Sequence, residues 1–221
     1  MSDEFKRQAA VAAVDEVRDG MVVGLGTGST ATHFIRELGS RHLNIAAIPT
    51  SEASDKLARE VGIRLTTFGE TPEIDVTVDG ADEVSPQLDL IKGLGGALVR
   101  EKVVARASRR VVIIVDETKL VPQLGSRSVI PVEVVPFAVD VVISRLTAWG
   151  GTPQIRQKDG KPFISDNGNL VLDWQHGPIE NPAALERQIK EITGVVDSGL
   201  FCGIANLVIV AGADGFRKLR R

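Results

Sequence analysis

The sequence predicts an α/β protein: a Rossmann-like, doubly wound parallel sheet with a second, smaller α+β domain of the ferredoxin-like type. Short unbroken apolar runs alternate with helical stretches over the first 130 residues, as in parallel sheets that helices cover on both faces. Beyond them the order of elements changes to βαββαβ. With 221 residues, of which 43% are apolar and 25% charged, the chain can bury a sizeable core.

Apolar periodicity and helix-stopping glycines define the elements of the first domain. Ser2 or Asp3 can cap a first helix, and Gly20 ends it. The next predictions, in order, are strand 21–24, helix 29–38, strand 45–48, helix 51–61, strands 65–67 and 74–78, helix 97–107 and strand 111–115. Because the strands are parallel, their carboxyl ends lie at one edge of the sheet, where such sheets bind ligands.

The second domain is predicted from the changed order of elements. Pro136 at the first helical position and Gly150-Gly151 beyond the end mark its first helix. Its elements are strand 132–135, helix 137–149, strands 152–156 and 170–174, helix 183–192 and strand 195–201. A last strand, 207–211, is predicted to return to the large sheet. We therefore expect one domain at 1–130 plus 203–221 and another at 131–202.

The charge balance argues against nucleic-acid binding. The chain has 26 basic and 29 acidic side chains, a formal charge of −3, and so lacks the basic surplus that neutralises phosphates. Its densest basic stretch is the tail that holds Arg217, Lys218, Arg220 and Arg221, which we interpret as a solvated terminus. No nucleic-acid partner is expected.

Cysteine usage and hydropathy point to a soluble cytoplasmic protein. The single cysteine, Cys202, cannot form an internal disulfide and lies in an apolar run, so we expect it to be buried and unreactive. The first residues mix acid and base without a hydrophobic signal core. The longest apolar stretch, 200–213, is interrupted by Asn206 and by glycines and is shorter than the ~20 residues of a membrane helix. No membrane association is expected.

A glycine-rich loop between the first predicted strand and the next helix is the first candidate site. Its residues are Gly24-Leu25-Gly26-Thr27-Gly28-Ser29-Thr30. Backbone N–H groups and hydroxyls at a helix N-terminus hold phosphate well. Residues 26–31 also fit a loose dinucleotide pattern, but residues 49–51 lack the acid that binds a ribose hydroxyl. A plain tight turn with Ser/Thr capping is the alternative.

An acidic segment follows a later strand of the same domain. Asp79, Asp82 and Glu83 lie within five positions, separated by the small residues Gly80 and Ala81. At the carboxyl end of a strand these side chains face the crevice where ligands bind, and the small residues leave room for a ligand to approach. A solvated acidic turn or a cation-binding loop is the alternative.

A third segment, 92–102, combines a lysine, three glycines and a glutamate. Lys92 leads into the loop with Gly93, Gly95 and Gly96, and Glu101 falls about one turn into the next predicted helix. A carboxylate in a water-poor crevice suits a general base. The alternative is a surface glutamate between two basic neighbours.

Four segments therefore converge on one edge of the predicted sheet, since Lys119 follows strand 111–115 in the same way. Paired carboxylates, cations and a base are the groups that proton transfer beside a carbonyl requires, because an enediolate must be stabilised while protons move. A metal site is not indicated: His33 and Glu37 share a helix face, but no second histidine or cysteine joins them.

These segments resemble the type A ribose-5-phosphate isomerase family, which interconverts ribose 5-phosphate and ribulose 5-phosphate in the pentose phosphate pathway. The residues that carry the resemblance are 24–30, 50–54, 78–83, 92–102, 131–134, 193–196 and 199–201. The resemblance implies an aldose–ketose isomerase of similar architecture that acts on a pentose 5-phosphate without metal or cofactor. It also implies a homodimer or a dimer of dimers.

The resemblance implies roles for individual residues. Glu101 would be the base that shuttles a proton between C1 and C2 of the sugar. Asp79 and Asp82 would bind sugar hydroxyls, with Asp79 assisting ring opening and proton transfer between oxygens, and Lys92 would stabilise developing negative charge. Substrate contacts are implied for Thr27, Gly28, Ser29, Thr30, Asp79, Gly80, Ala81, Asp82, Lys92, Gly93, Leu94, Gly95 and Lys119.

Two alternatives to the isomerase remain at the level of the sequence. One is a sugar-phosphate-binding sensor that has lost the chemistry, against which the four intact groups Asp79, Asp82, Lys92 and Glu101 argue. The other is an NAD-dependent dehydrogenase, which the missing ribose-binding acid disfavours. One departure from the family is Leu94, where many relatives carry Gly or Arg; a backbone contact survives that change.

Overall fold

The computed structural model describes residues 3–221, so Ser2, one of the two predicted caps of the first helix, lies outside the described residues. The helices are α1 (Asp3–Val14), α2 (Ser29–Ser40), α3 (Glu52–Glu60), α4 (Leu98–Arg106), α5 (Val139–Ala148) and α6 (Pro182–Lys190). The first strands are β1 (Val22–Leu25), β2 (Ala46–Pro49), β3 (Val76–Asp79), β4 (Glu83–Val84), β5 (Leu90–Ile91), β6 (Val111–Asp116) and β7 (Ile130–Val134). The later strands are β8 (Thr152–Ile155), β9 (Gln157–Lys158), β10 (Lys161–Pro162), β11 (Leu170–Gln175), β12 (Val195–Ser198), β13 (Leu200–Phe201), β14 (Leu207–Gly212) and β15 (Gly215–Arg220).

The chain divides into two compact units, of which the first contains a six-stranded sheet. This unit consists of the described residues up to Ala81 together with Arg100–Lys119 and Ile204–Arg221. The strand order is β2-β1-β3-β6-β14-β15, and all neighbours are parallel except β14 and β15. The predicted parallel sheet and the return of the last predicted strand, 207–211, to it are thereby confirmed.

Helices cover both faces of the large sheet, as expected for a doubly wound fold. On one face Phe34, Ile35 and Leu38 of α2 pack with α1, α3 and alternate residues of the strands. On the other face Val104 of α4 packs with Ile48 and Ile74. Because both faces are buried, β6 is buried along all six of its residues, which explains its unbroken apolar sequence.

The basic tail is an ordered edge strand rather than a simple solvated terminus. Residues Gly215–Arg220 form β15, which pairs antiparallel with β14 along its whole length. Its side chains are mostly exposed, but Lys218 Nζ lies 2.6 Å from Glu16 Oε1. Arg110 Nη2 lies 2.7 Å from the other carboxylate oxygen of Glu16. A tight hairpin turn, with Gly215 at φ 101°, adds this strand to the sheet.

The Glu16 carboxylate makes stability depend on pH. Burial raises its pKa, but the hydrogen bond from Lys218 and the charges of Arg110 and Lys218 outweigh burial and hold the pKa below its ordinary value of 4.5. Its stabilising contribution is therefore complete above that value and is lost as pH falls through the lower folded value. We expect Glu16→Gln to lower the free energy of unfolding by about 1 kcal/mol at neutral pH.

Urea denaturation at neutral and at progressively lower pH measures this effect. The difference between wild type and Glu16→Gln should shrink as the wild-type carboxylate becomes protonated. Glu4→Gln is the matched control, because Glu4 pairs with Arg7 at an exposed position, 3.3 Å away. If the difference in the free energy of unfolding between wild type and Glu16→Gln does not vary with pH, the Glu16 carboxylate is not the source of the pH dependence.

The second unit, Asp82–Val99 and Leu120–Gly203, contains a four-stranded antiparallel sheet. Its order is β12-β7-β11-β8, and the elements β7, α5, β8, β11, α6 and β12 follow one another as βαββαβ. Val142 of α5 and Ile189 of α6 pack in one hydrophobic core with Trp174 of β11, which is fully buried. The ferredoxin-like unit is confirmed.

The predicted strand 195–201 is instead two strands in different sheets. Val195–Ser198 joins the four-stranded sheet, whereas Leu200–Phe201 joins a small three-stranded sheet with β5 and β4. The break falls at Gly199, where a Cβ would lie 2.2 Å from the Lys92 carbonyl oxygen and 2.7 Å from Pro131 Cδ. Only glycine permits this approach, and periodicity along the chain does not reveal it.

Further differences concern short elements and the limits of the two parts. Of the predicted strand 65–67, only Leu65 forms a single bridge, to Ala47. The strands β4 and β5, of two residues each, were not predicted. Residues 82–99 pack in the second unit because β4 and β5 pair with each other and with β13. Residues 120–130 also belong to the second unit, whereas we expected both segments in the domain 1–130.

Candidate functional site

In the first unit, the candidate loop lies where the strand order reverses. From β1 the chain passes to β2 on one side, and the next strand, β3, pairs on the other side of β1. Open α/β sheets bind ligands outside the carboxyl ends of strands at such a point. The loop after β1 and Asp79 at the end of β3 both occupy it.

The loop and Asp79 are in direct contact. Thr27 N donates a hydrogen bond to Asp79 Oδ1 at 3.0 Å, and Gly80 N donates to the same oxygen at 2.7 Å. A Cβ at Gly26 would lie 2.2 Å from that oxygen, so glycine is required there. Asp79 is only 2% exposed, which excludes a solvated acidic turn at this residue.

The rest of the loop opens helix α2. Gly28, with φ 105°, is the N-cap, and within the described part of the chain no side chain caps this helix. The alternative of a turn with Ser/Thr capping is therefore wrong. Ser29 is exposed and Thr30 is buried in the first turn.

A network of hydroxyls supports Thr27 and was not predicted as part of the site. Thr27 Oγ1 lies 2.8 Å from Thr50 Oγ1 and 2.8 Å from Ser51 Oγ. Thr50 donates to the Leu25 carbonyl at 2.9 Å, and Ser51 forms a capping box with Ser54 at the start of α3. Their position directly after β2, at the same sheet edge, is the signal that could have found them.

Glu101 lies in the first turn of α4 and is 4% exposed. The alternative of a surface glutamate is therefore wrong. The helix packs closely on β1, because a Cβ at Gly24 would lie 2.6 Å from Val104 Cγ1. A buried carboxylate on a firmly packed helix has the fixed position that a general base needs.

Lys119 lies at the end of a short 3₁₀ turn, Glu117–Lys119, directly after β6. Asp116, 1% exposed at the end of β6, accepts hydrogen bonds from the backbone N–H (2.8 Å) and the hydroxyl of Thr118. These bonds fix the turn that carries Lys119, which is half-buried.

In the second unit, Asp82 is bound to the glycine loop. Leu94 N donates to Asp82 Oδ2 at 3.1 Å, and Asp82 N donates to the Ile91 carbonyl at 2.8 Å. Lys92 is 3% exposed, and its ammonium lies 5.5 Å from the centre of the Phe201 ring. The structure thus brings together Asp82 and residues 92–95 of the predicted set.

Glu83, the third acid of its segment, serves the fold. Its carboxylate is 1% exposed and accepts three backbone N–H groups, from Gly125 at 2.6 Å, Arg127 at 2.7 Å and Ser128 at 2.6 Å. These bonds hold residues 125–128 in place and occupy both carboxylate oxygens.

Among residues 3–221, no three His, Cys, Asp or Glu side chains are grouped so as to hold a metal ion, and His33 lies 3.3 Å from Asp3. Over the same range, every helix is too short or too polar to cross a membrane. Cys202 is buried, as predicted.

Fold and site together define a doubly wound α/β enzyme, with buried carboxylates at the sheet edge where such folds bind ligands. The sequence model of the family described as ribose 5-phosphate isomerase A (phosphoriboisomerase A) matches residues 46–215. The chain belongs to this family.

Individual relatives are similar over nearly their whole length. Ribose-5-phosphate isomerase A of Chloroflexus aurantiacus is 54% identical, with 97% of this chain and 92% of the relative covered. The solved ribose 5-phosphate isomerase A of Methanocaldococcus jannaschii is 43% identical with a TM-score of 0.96, and each chain is covered completely. A solved D-ribose-5-phosphate isomerase in complex with phospho-erythronic acid is 38% identical with a TM-score of 0.97, again over both complete chains.

Proposed function

We propose that the chain is an aldose–ketose isomerase that interconverts D-ribose 5-phosphate and D-ribulose 5-phosphate in the pentose phosphate pathway. The observation that carries the proposal is the burial of three ionisable groups at strand ends or helix starts: Asp79, Lys92 and Glu101 are 2%, 3% and 4% exposed. Burying such groups destabilises a fold, and buried ionisable groups at strand ends and helix starts are candidates for catalysis, which supports the proposal. Membership in the family identifies that chemistry.

Glu101 is the proposed base. In the open-chain aldose, its carboxylate removes the proton from C2 and leaves an enediolate, and the same proton returns to C1 to give the ketose. A fixed general base contributes typically ~10²–10⁴ to the rate. Asp79 assists ring opening and moves the hydroxyl proton between O1 and O2.

The remaining residues hold the substrate and its developing charge. Lys92 stabilises the enediolate oxygen, because a cation in a water-poor site interacts strongly with an anion. Asp82, together with the backbone of residues 80–81 and 93–95, binds sugar hydroxyls. Residues 27–30 present N–H groups and hydroxyls at the start of α2, which suits a phosphate, and Lys119 contacts the substrate.

The test is a direct assay of ribulose 5-phosphate formed from ribose 5-phosphate by the purified protein. Steady turnover is the expected result. Binding of the substrate without turnover would instead indicate a sugar-phosphate-binding sensor that does not catalyse the isomerisation. A rise in melting temperature with NAD would favour the dehydrogenase.

Lys92→Ala should impair both binding and turnover, because the ammonium contacts the substrate in its ground state and in the transition state. We expect kcat/KM to fall by about 10²-fold or more, with KM raised and kcat lowered. Steady-state kinetics measures both constants. Lys190→Ala is the matched control, since Lys190 is exposed and pairs with Asp197. If Lys92→Ala binds a phosphorylated sugar acid as tightly as the wild type does, Lys92 does not contact the substrate.

The proposal extends to assembly and location. We propose a homodimer or a dimer of dimers, which the family resemblance supports. We also propose a cytoplasmic location, which the single free cysteine, buried and without a disulfide, supports. Light scattering coupled to gel filtration separates the two assemblies by mass.

A further inference from the structure

The loop of residues 92–96 needs restraint from outside itself. Gly93 and Gly96 have φ of 99° and 86°, in the region that favours glycine. Glycine loses the most conformational freedom on folding, so a loop rich in it is ordered only where other groups hold it. Asp82 holds one backbone N–H group of this loop, that of Leu94.

Arg156, more than sixty residues further along the chain, holds the carbonyl side of the same loop. Its Nη1 donates to the Gly93 carbonyl at 2.8 Å and to the Leu94 carbonyl at 3.0 Å. With both carbonyls bound by one guanidinium, the two peptide planes of the loop have a fixed orientation.

Asp173 fixes the guanidinium in turn. Arg156 Nε lies 3.0 Å and 3.2 Å from the two Asp173 carboxylate oxygens, and Nη2 lies 2.5 Å from Oδ1. The Arg156 side chain is 11% exposed, so this ion pair is partly shielded from water. Asp173 lies in the central part of β11. Arg156 directly follows β8, the strand that pairs with β11. The planar fork of arginine serves the carboxylate and the loop at once, which the ammonium of lysine cannot do.

Phe163 completes the arrangement. Its ring lies 5.8 Å from the Arg156 guanidinium, and a Cβ at Gly96 would lie 2.3 Å from its Cζ. The ring therefore packs against the loop at a point where only glycine fits.

We infer that Arg156, oriented by Asp173, is a positioning residue that fixes the backbone of residues 93–95 for contact with the substrate. The inference rests on the proposed function, which gives this loop a substrate contact. Misplacement of groups by about 1 Å can reduce catalysis by ~10²-fold. Losing the guanidinium thus affects the reaction without removing any group that touches the substrate.

The experiment compares Arg156→Ala, Arg156→Lys and the control Arg187→Ala, in which an exposed arginine of α6 is removed from the same unit. We expect kcat/KM of Arg156→Ala to fall about 10- to 100-fold with a raised KM, and Arg156→Lys to recover little of it. Guanidinium ion at low millimolar concentration should partly restore the KM of Arg156→Ala and leave Arg187→Ala unchanged. Wild-type KM and kcat in folded Arg156→Ala would overturn the inference.

Amide hydrogen exchange of residues 92–97 separates this inference from the proposed function. Faster exchange confined to this segment in Arg156→Ala is expected, and unchanged exchange overturns the positioning role. If the wild type shows no isomerase activity, the proposed function fails; faster exchange in the variant would still support the restraint of the loop by Arg156. A merely structural role would lower the melting temperature and the active fraction, but would leave KM unaltered.

Discussion

Replacing Glu101 by glutamine is expected to lower kcat by about 10²–10⁴ and to change KM little. The amide keeps the size and shape of the side chain, but an NH₂ group replaces one carboxylate oxygen and the neutral amide cannot act as the base for the proton on C2. Because Glu101 is 4% exposed in the first turn of α4, the neutral amide should be tolerated by the fold. Steady-state kinetics, with melting temperatures of both proteins, measures the effect.

The matched control is Glu60→Gln, at an exposed position near the end of α3. It should retain wild-type constants. Near-normal kcat in Glu101→Gln would show that another group acts as the base. A larger primary isotope effect on kcat in Glu101→Gln than in the wild type, measured with substrate deuterated at C2, would locate the defect in proton transfer rather than in product release.

The second large effect is expected on stability, from Glu83→Gln. The amide places an NH₂ group where a carboxylate oxygen now accepts backbone N–H groups of residues 125–128, so at least one buried donor loses its partner. Hydrogen bonds to charged groups contribute about 1.5–3 kcal/mol each, and breaking a buried charged network costs more. We expect the free energy of unfolding to fall by about 3 kcal/mol.

Urea denaturation measures this loss. Glu180→Gln, an exposed carboxylate of the same unit, is the control and should change stability by less than about 0.5 kcal/mol. A small effect of Glu83→Gln would mean that the segment 125–128 finds other partners. If Glu83→Gln does not fold, partial destabilisation by Glu83→Asp, whose shorter carboxylate keeps the charge, tests the same bonds.

The predicted elements agree with the structure where the signal is local. The unbroken apolar run 111–115 corresponds to β6, which ends one residue later, because burial on both faces leaves a clear pattern in the sequence. Strand 195–201 was predicted as one element, since its break depends on Gly199 meeting the carbonyl of Lys92, a contact across about a hundred residues. Such an approach leaves no periodicity to detect.

In the candidate site, too, local features could be predicted from the sequence and long-range contacts could not. The loop after β1 and Asp79 could be placed together from strand ends alone, and their hydrogen bond bears this out. Asp82 and Glu83 are adjacent in sequence and carry the same charge, yet one binds the glycine loop and the other the segment 125–128. Neighbouring residues of an extended chain point in opposite directions, so only the fold distinguishes the two acids. Arg156 gave no local signal at all.

The edge strand β15 bears on how copies of the chain can associate. A sheet edge offers unpaired backbone groups to any extended segment, and proteins protect such edges with charged side chains. Here Arg217, Lys218 and Arg220 lie on the outermost strand of the six-stranded sheet. A second copy that extended this sheet would bring like charges together and strip water from them. Self-association through a continuous sheet is therefore disfavoured at this edge.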